Sequence, residues 1–321
     1  MPHSPELKKF TIGGFCGAEL RCQNKGNGLN QYDFLYNYPN RGIALRYSSF
    51  GNNSVLGNYA ALYPYITTPL TLNKKNNLEW DIGFGLAYAT ITNKTNELNR
   101  ALGSHLNVFI QSNAVLNHRL NRNSCVFLRL GVAHLSNGKL ASPNLGLNML
   151  QSQLGYQYNF INEKPEFYEH KKLKPNAGLH YALTFAGAVK TPGDYTNNYY
   201  FASSIVLDAD KWITNLNKIG LGINLFYDAS IEKTLMHKKI PFHHYYLIDY
   251  GIHISHKMVY KKISWPVQIG YCFNASPDKT SPIFLRTGVH CSLSLNFGIS
   301  AMIKSHFNVA DYIEWGIGYS F

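Results

Sequence analysis

The sequence predicts an all-β fold, namely a transmembrane, antiparallel β-barrel of the outer-membrane type with about 14 strands. Three observations predict it. Apolar and polar residues alternate along most of the 321 residues, charged residues make up only 15%, and aromatic residues reach 14%. Low charge with many aromatic residues suits strands that face lipid and end in aromatic girdles. A soluble all-β protein is the alternative, because alternation alone does not exclude it.

The alternation gives each predicted strand one apolar and one polar face. Val126, Leu128, Leu130 and Val132 share one face, and residues 127, 129 and 131 share the other. Polar faces rich in Gln, Asn, Asp, Arg and His suit a barrel lumen, and the apolar faces then turn toward lipid. Barrel closure pairs every backbone group, which the bilayer interior requires.

Connection lengths predict the orientation of the barrel. We expect residues 1–38 to form an N-terminal periplasmic segment and residues 39–321 to form a single barrel domain. Short connections then lie in the periplasm, and most long ones, such as 137–147 and 229–242, lie outside the cell. The final Phe321 resembles the C-terminal signature of outer-membrane barrels. No apolar run is long enough for a transmembrane helix, and residues 1–6 contain no signal-peptide core.

Charge and cysteine usage narrow the function classes. A net charge of +12 indicates a polyanionic partner, either nucleic acid or the phosphates of lipopolysaccharide. The chain carries no nucleic-acid motif, so we expect no nucleic acid partner. The five cysteines form no CxxC pair, which argues against a zinc site, and Cys16 and Cys22 are close enough in sequence for a disulfide.

One segment contains candidate catalytic residues: His134-Leu-Ser136-Asn137-Gly138-Lys139. His134 and Ser136 are two residues apart, so they share a strand face with Leu130 and Val132 and are expected to point outward. Polar groups on a lipid-facing surface are costly, and such a cost indicates function.

This pair matches the requirements for acyl transfer. Ser136 would attack an ester carbonyl, His134 would act as the base, and Asn148 on the next strand would orient the imidazole. The backbone N–H groups of Asn137 and Gly138, or the Asn137 side chain, would stabilise the oxyanion. Spacing alone favours ordinary polar residues at the interfacial end of a strand, because His-x-Ser is a very weak motif.

The motif resembles the signature of the PagL-type lipid A 3-O-deacylases, or acyloxyacyl hydrolases, through residues 134–137 and Pro143-Asn144-Leu-Gly146. Residues 99–107 and 303–321 also resemble longer members. The resemblance implies an outer-membrane esterase, without metal or cofactor, that removes an ester-linked acyl chain from lipid A. Its site residues match Ser136, His134, Asn137 and Gly138.

The resemblance also predicts the partners, and the chain differs from the family pattern in strand number and at Asn148. Lipid A, or lipopolysaccharide, and outer-membrane lipids are the expected partners, and the active site is expected near the outer leaflet. Asn144 and Lys139 are expected to bind substrate, although Lys139 in solvent is an equal alternative. Well-studied members are barrels of eight strands with Glu at the position of Asn148, which predicts slower turnover here or another acid nearby. The rival function is a non-enzymatic barrel, either a channel or an inactive relative.

Two other groups of residues are weaker candidates. His306, Asp311 and Glu314 suit a hydrogen-bond network in the lumen better than a second acid–base site. His237 and the pair His243-His244 lack a Cys or carboxylate cluster for a metal, and Lys238 and Lys239 beside them suit lipopolysaccharide phosphates.

Overall fold

The computed structural model describes residues 14–71, 75–160, 178–193, 195–196, 198–279, 281–306 and 309–321. These residues form 15 antiparallel strands, so the predicted all-β class with about 14 strands is confirmed. The strands are β1 (Gly17–Lys25), β2 (Asn40–Ser49), β3 (Asn58–Pro69), β4 (Asn76–Ala89), β5 (Leu106–Arg119), β6 (Ser124–Ser136), β7 (Leu147–Tyr158), β8 (Leu179–Lys190), β9 (Tyr200–Trp212), β10 (Asn217–Asp228), β11 (Ile248–Tyr260), β12 (Ile263–Cys272), β13 (Ile283–Ser292), β14 (Phe297–His306) and β15 (Val309–Ser320).

In the described ranges, two short helices interrupt the strands. Helix α1 (Gln31–Leu35) lies between β1 and β2, and its first turn is capped by the Asn30 side chain, which accepts from the Tyr32 N–H. Helix α2 (Ser230–His237) and a 3₁₀ turn (His244–Leu247) lie between β10 and β11. Within the described ranges, none of the helices is long and apolar enough to cross a membrane.

The first of two compact units contains β1–β7, each paired with the next strand in sequence. Its polar face is enclosed by curling of the sheet. Arg46 on β2 donates to Gln151 on β7 at 2.5 Å, and Arg129 on β6 donates to Glu19 on β1 at 3.1 Å. These bonds compensate for the loss of water around the buried polar groups.

The second unit contains a closed barrel of eight strands, β8–β15. Closure comes from β15 pairing with β8, with Trp315 opposite Gly187. Polar side chains fill the interior. Glu314 accepts hydrogen bonds from Arg286 and Ser204, and Asp208 lies 2.9 Å from His253.

The outer faces of both units are apolar and exposed, because alternation sends every second residue away from the polar interior. An apolar surface this extensive is untenable in water and suits contact with lipid. On β4–β7 the exposed side chains include Leu86, Leu106, Leu116, Leu130, Val132, Leu150 and Leu154, and on β10–β12 they include Leu221, Ile223, Ile252, Ile254 and Ile269.

The strand pairing differs from the expected single barrel over residues 39–321. The strands form two hydrogen-bonded sets, and β1, which lies inside the segment 1–38, pairs along its length with β2. Period-two alternation predicts strands and faces, but it is the same for one large barrel and for two smaller sheets.

Candidate active site

The three strands β5, β6 and β7 bring His134 and Asn148 together. In the antiparallel register, His134 lies opposite Ile110 on β5 and opposite Asn148 on β7. Ser136, two residues further along β6, lies opposite Val108. His134 and Ser136 share the strand face of Leu130 and Val132, whose side chains are 48% and 52% exposed. Both candidate residues therefore lie on the outer, apolar face of the sheet and not in its polar interior.

A short hydrogen bond joins His134 to Asn148. The His134 Nδ1 lies 2.6 Å from the Asn148 Oδ1, which is an acceptor. Nδ1 therefore carries the proton and donates it. The unprotonated nitrogen of the neutral ring is then Nε2, which is the nitrogen that a general base needs.

The Ser136 hydroxyl is held by the loop that follows it. Asn144 Nδ2 donates to Ser136 Oγ at 2.8 Å, and Asn144 Oδ1 accepts from the Asn137 N–H at 3.2 Å. The Asn144 amide thus connects the end of the loop between β6 and β7 to the beginning of that loop. Ser136 is only 3% exposed.

Gly146 contacts both members of the pair. A Cβ atom at Gly146 would lie 3.1 Å from His134 Cε1 and 3.4 Å from Ser136 Cβ, and the residue has φ +68°. The imidazole and the serine side chain therefore both lie within 3.4 Å of one point. A side chain at position 146 would be strained by its backbone and crowded by the imidazole.

Asn137 and Gly138, the two residues expected to form the oxyanion site, belong to different compact units and make different contacts. Asn137 Nδ2 donates to Ser104 Oγ at 2.9 Å, so this amide is directed to the β4–β5 loop in the structure. Gly138 has φ +61° and belongs to the second unit, where its Cα packs on Ile313 so closely that a Cβ would lie 2.3 Å from Ile313 Cγ1. Both features require glycine at position 138.

Lys139 is a half-buried residue of the second unit and has φ +63°. Its carbonyl accepts from the Thr191 N–H at 2.9 Å. Burial first, and then the charge of Lys190, lowers the pKa of the Lys139 amine to about 8, although Asp311 acts in the opposite direction. Substrate binding by Lys139 and its alternative position in solvent both stay predictions.

An apolar groove of about 460 Å³ begins at His134 and Asn148. Its walls come from the outer faces of β5, β6 and β7, chiefly Ile110, Val132 and Leu150. Ser112 also lines it, and its hydroxyl accepts from Trp80 Nε1 at 3.0 Å. The groove offers an apolar chain a path along the sheet that ends beside the imidazole.

Sequence reasoning did not assign roles to three supporting features. These are Ser104, the contact of Gly146 with His134, and the groove. Gly146 N–H also donates to the Ala101 carbonyl at 2.9 Å, so the β4–β5 loop supports both ends of the loop over Ser136. Residues 99–107 and Gly146 belong to the segments that carry the family resemblance, and that was the only available signal.

The residues considered for a second acid–base site lie in an interior network of charged side chains. Asp311 accepts from Lys190 and Lys279, and Glu314 is bonded to Arg286, as expected of an interior network. Within the described part of the chain, no group of three or more His, Cys, Asp or Glu residues is arranged to hold a metal. Cys16 and Cys22 are both free thiols.

Two family models match the chain. Residues 17–157 match the model of lipid A 3-O-deacylase (PagL), and residues 179–321 match the model of the C-terminal domain of acyloxyacyl hydrolase. No protein with a curated description matches.

Several solved structures resemble the chain at low TM-scores. A de novo designed transmembrane β-barrel is 14% identical, covering 47% of this chain and 100% of its own, with a TM-score of 0.29. A mutant porin of Rhodopseudomonas blastica is 7% identical, covering 96% and 90% of the two chains, with a TM-score of 0.20. The toluene transporter TodX of Pseudomonas putida is 9% identical, covering 88% and 81%, with a TM-score of 0.19. Scores this low carry no argument about function.

Proposed function

The chain belongs to the family of PagL lipid A 3-O-deacylases, which makes it an ester hydrolase of the outer membrane acting on lipid A, and we propose that its reaction uses Ser136 as nucleophile and His134 as base. The single observation that carries this proposal is the hydrogen bond between His134 Nδ1 and Asn148 Oδ1. It leaves the basic Nε2 of the imidazole for the serine proton.

The reaction has two steps, namely acylation of Ser136 and hydrolysis of the acyl-serine. Ser136 Oγ attacks the ester carbonyl of an acyl chain while His134 Nε2 takes the hydroxyl proton. His134 then returns that proton to the sugar oxygen, which leaves as an alcohol, and the acyl group remains on Ser136. Water, deprotonated by His134, attacks this acyl-serine and releases the fatty acid, which restores the hydroxyl.

The oxyanion of each step needs hydrogen-bond donors beside Ser136. Asn144 is the first donor that we propose, because its Nδ2 lies 2.8 Å from Ser136 Oγ and is therefore close to any carbonyl group that this oxygen attacks. The Gly138 N–H, two residues after Ser136, is the second donor that we propose. Asn137 instead orients the loop, because its side chain donates to Ser104 and its N–H donates to Asn144. Losing one oxyanion donor typically costs about 100- to 1,000-fold in rate.

The position of the pair suits a substrate that resides in the membrane. The groove from His134 past Val132 and Leu150 is apolar, and it lies on the face of the sheet that contacts lipid. We propose that the scissile acyl chain occupies this groove, and that the site lies toward the outer leaflet. Binding of a lipid A phosphate by Lys139 remains a prediction.

A channel function lacks support from the interior of the closed barrel. Its lumen is crossed by the bonds of Arg286 to Glu314 and Gln268 and of His253 to Asp208. Ion conductance in a planar bilayer would favour the channel.

Mass spectrometry of lipid A tests the proposed function. The full chain in detergent is incubated with lipopolysaccharide, and loss of one acyl chain from lipid A is followed. Ser136→Ala is expected to abolish the loss, whereas Ser152→Ala, which removes an exposed hydroxyl from β7, is the matched control and is expected to retain it. Acyl loss that survives Ser136→Ala would overturn the mechanism, and no loss with the unaltered chain would overturn the activity.

A further inference from the structure

A cluster of basic side chains lies between β10 and β11 in the second unit, whereas His134, Ser136 and Asn148 belong to the first unit. Residues 237–244 read His-Lys-Lys-Ile-Pro-Phe-His-His, and their five basic side chains are all exposed. We call this cluster the 237–244 surface. The eight residues include no Asp or Glu.

Local structure fixes the first half of this surface. Helix α2 ends at His237, and the chain reverses through Lys239, which has φ +58°, with the Ile240 N–H donating to the Leu235 carbonyl at 2.9 Å. The His237 ring stacks on Tyr195 with 3.7 Å between ring centroids, and the Tyr195 hydroxyl donates to Thr234 at 3.2 Å. Little side-chain entropy remains to be lost when His237 meets a ligand.

The second half is ordered by aromatic contacts. The His243 ring is parallel to that of Tyr245, with 5.3 Å between centroids, and His244 meets Phe242 edge to face at 5.2 Å. Tyr245 itself is 56% exposed. Histidine rings thus stand beside aromatic rings on one exposed surface.

Within the described part of the chain, the nearby acidic side chains form no salt bridge with the five basic side chains. Glu232 lies in the first turn of α2, at the opposite end of the helix from His237. Asp278 contributes its backbone carbonyl, which accepts from Lys238 Nζ at 3.2 Å. Asp228 and Asp249 lie deeper and are buried, and Asp228 is already paired with Lys190.

The type of side chain exposed on the outer face of the barrel changes along β10 and β11 toward this surface. Along β10 the exposed side chains are Leu221, Ile223 and Leu225, then Tyr227, and the strand ends one residue later. Along β11 the exposed Ile254 and Ile252 are followed by Tyr250 and Ile248, and then by the 237–244 surface with Tyr245. Apolar, aromatic and cationic zones therefore succeed one another.

This order matches the order of chemical groups in a membrane lipid with a phosphorylated headgroup. Apolar side chains contact acyl chains, Tyr rings lie at the interface, and cations meet phosphate. We propose that the 237–244 surface binds the phosphate groups of a phosphorylated glycolipid in the surrounding membrane. This second lipid-binding surface belongs to the closed barrel and requires no hydrolysis at Ser136.

Binding of lipid A to the full chain tests this proposal. The chain carries Ser136→Ala so that bound lipid is not consumed, and native mass spectrometry in neutral detergent compares bisphosphorylated with dephosphorylated lipid A. Lys238→Gln together with Lys239→Gln is expected to weaken binding of the phosphorylated form by about 30-fold, since each interfacial Lys contributes roughly 1 kcal/mol. The dephosphorylated form should bind equally to both proteins.

Lys261 and Lys262 provide the matched control. They are also adjacent, exposed lysines of the same barrel, but they lie in the short turn between β11 and β12. Lys261→Gln with Lys262→Gln should leave binding unchanged. An equal loss in this control, or no difference between the two lipids, would overturn the proposal. Displacement of the lipid by excess inorganic phosphate alone would show a free-phosphate site and would overturn it too. Failure of hydrolysis by the unaltered chain would not affect this result.

Discussion

Asn148 Oδ1 lies 2.6 Å from His134 Nδ1, across the β6–β7 ladder, and their backbones are direct partners in the antiparallel register. The amide oxygen fixes the tautomer of the imidazole, but it cannot stabilise the imidazolium as a carboxylate does. We therefore expect Asn148 to orient His134 without stabilising the positive charge that His134 acquires during the reaction.

Asn148→Glu tests the consequence of this difference. A carboxylate at the same distance keeps the tautomer and adds attraction to the imidazolium, since charge-assisted hydrogen bonds are roughly twice as strong as neutral ones. The variant is expected to match or exceed the turnover of the unaltered chain, by up to about tenfold, while Asn148→Leu should lose activity. Release of fatty acid at saturating lipopolysaccharide measures kcat. Slower turnover by Asn148→Glu would contradict the orienting role.

Gly146→Ala tests the contact that joins the imidazole to the loop. A side chain at φ +68° costs about 1–2 kcal/mol, and the new methyl group would press on His134 Cε1. We expect kcat to fall by about tenfold or more, with little change in KM. Gly14→Ala is the control, because a Cβ there meets nothing within 4 Å. Unchanged kcat in Gly146→Ala would show that the loop does not determine the position of His134.

Val132→Trp tests the apolar groove. The indole would occupy the space beside His134 where we propose that the acyl chain lies, so KM should rise by about tenfold while a small water-soluble ester is still hydrolysed. Leu154→Trp adds the same ring to an exposed position on β7 outside the groove and should behave as the unaltered chain does. Equal effects of both variants would show that the groove is not the acyl site.

Lys139→Met tests the buried amine through its pH dependence. Burial lowers the pKa of this amine from 10.5 to about 8. The protonated amine therefore destabilises the folded chain relative to the unfolded chain. Between these two values the unfolded chain binds more protons than the folded chain, so stability rises with pH. The variant should therefore unfold about 2–4 °C higher at neutral pH, and the difference should disappear above pH 10.5. A less stable variant at neutral pH would show that the amine is stabilised by its carboxylate neighbours overall.

Local periodicity made much of the fold and part of the site predictable. The outward direction of His134 and Ser136 follows from their parity with Leu130 and Val132, and the partnership of His134 with Asn148 follows from a simple hairpin register. These are properties of neighbouring residues on neighbouring strands, and sequence spacing encodes them directly.

The rest depends on contacts that spacing does not encode. The closure of β15 on β8 joins strands far apart in sequence, and the same alternation would equally serve one larger barrel. The roles of Asn144, Asn137 and Ser104 depend on a loop with positive φ at Gly138, Lys139 and Gly146. Such a loop can reverse in many ways, so which amide meets Ser136 Oγ could not be derived from the order of the residues.

Labelling with a fluorophosphonate tests the central claim most directly, because the reagent reacts irreversibly with an activated serine. Peptide mass spectrometry of the labelled chain is expected to locate one adduct on Ser136, and labelling should be lost in His134→Gln. An adduct on another residue, labelling that persists in His134→Gln, or lipid A hydrolysis that continues after complete labelling of Ser136 would contradict nucleophilic catalysis by this pair.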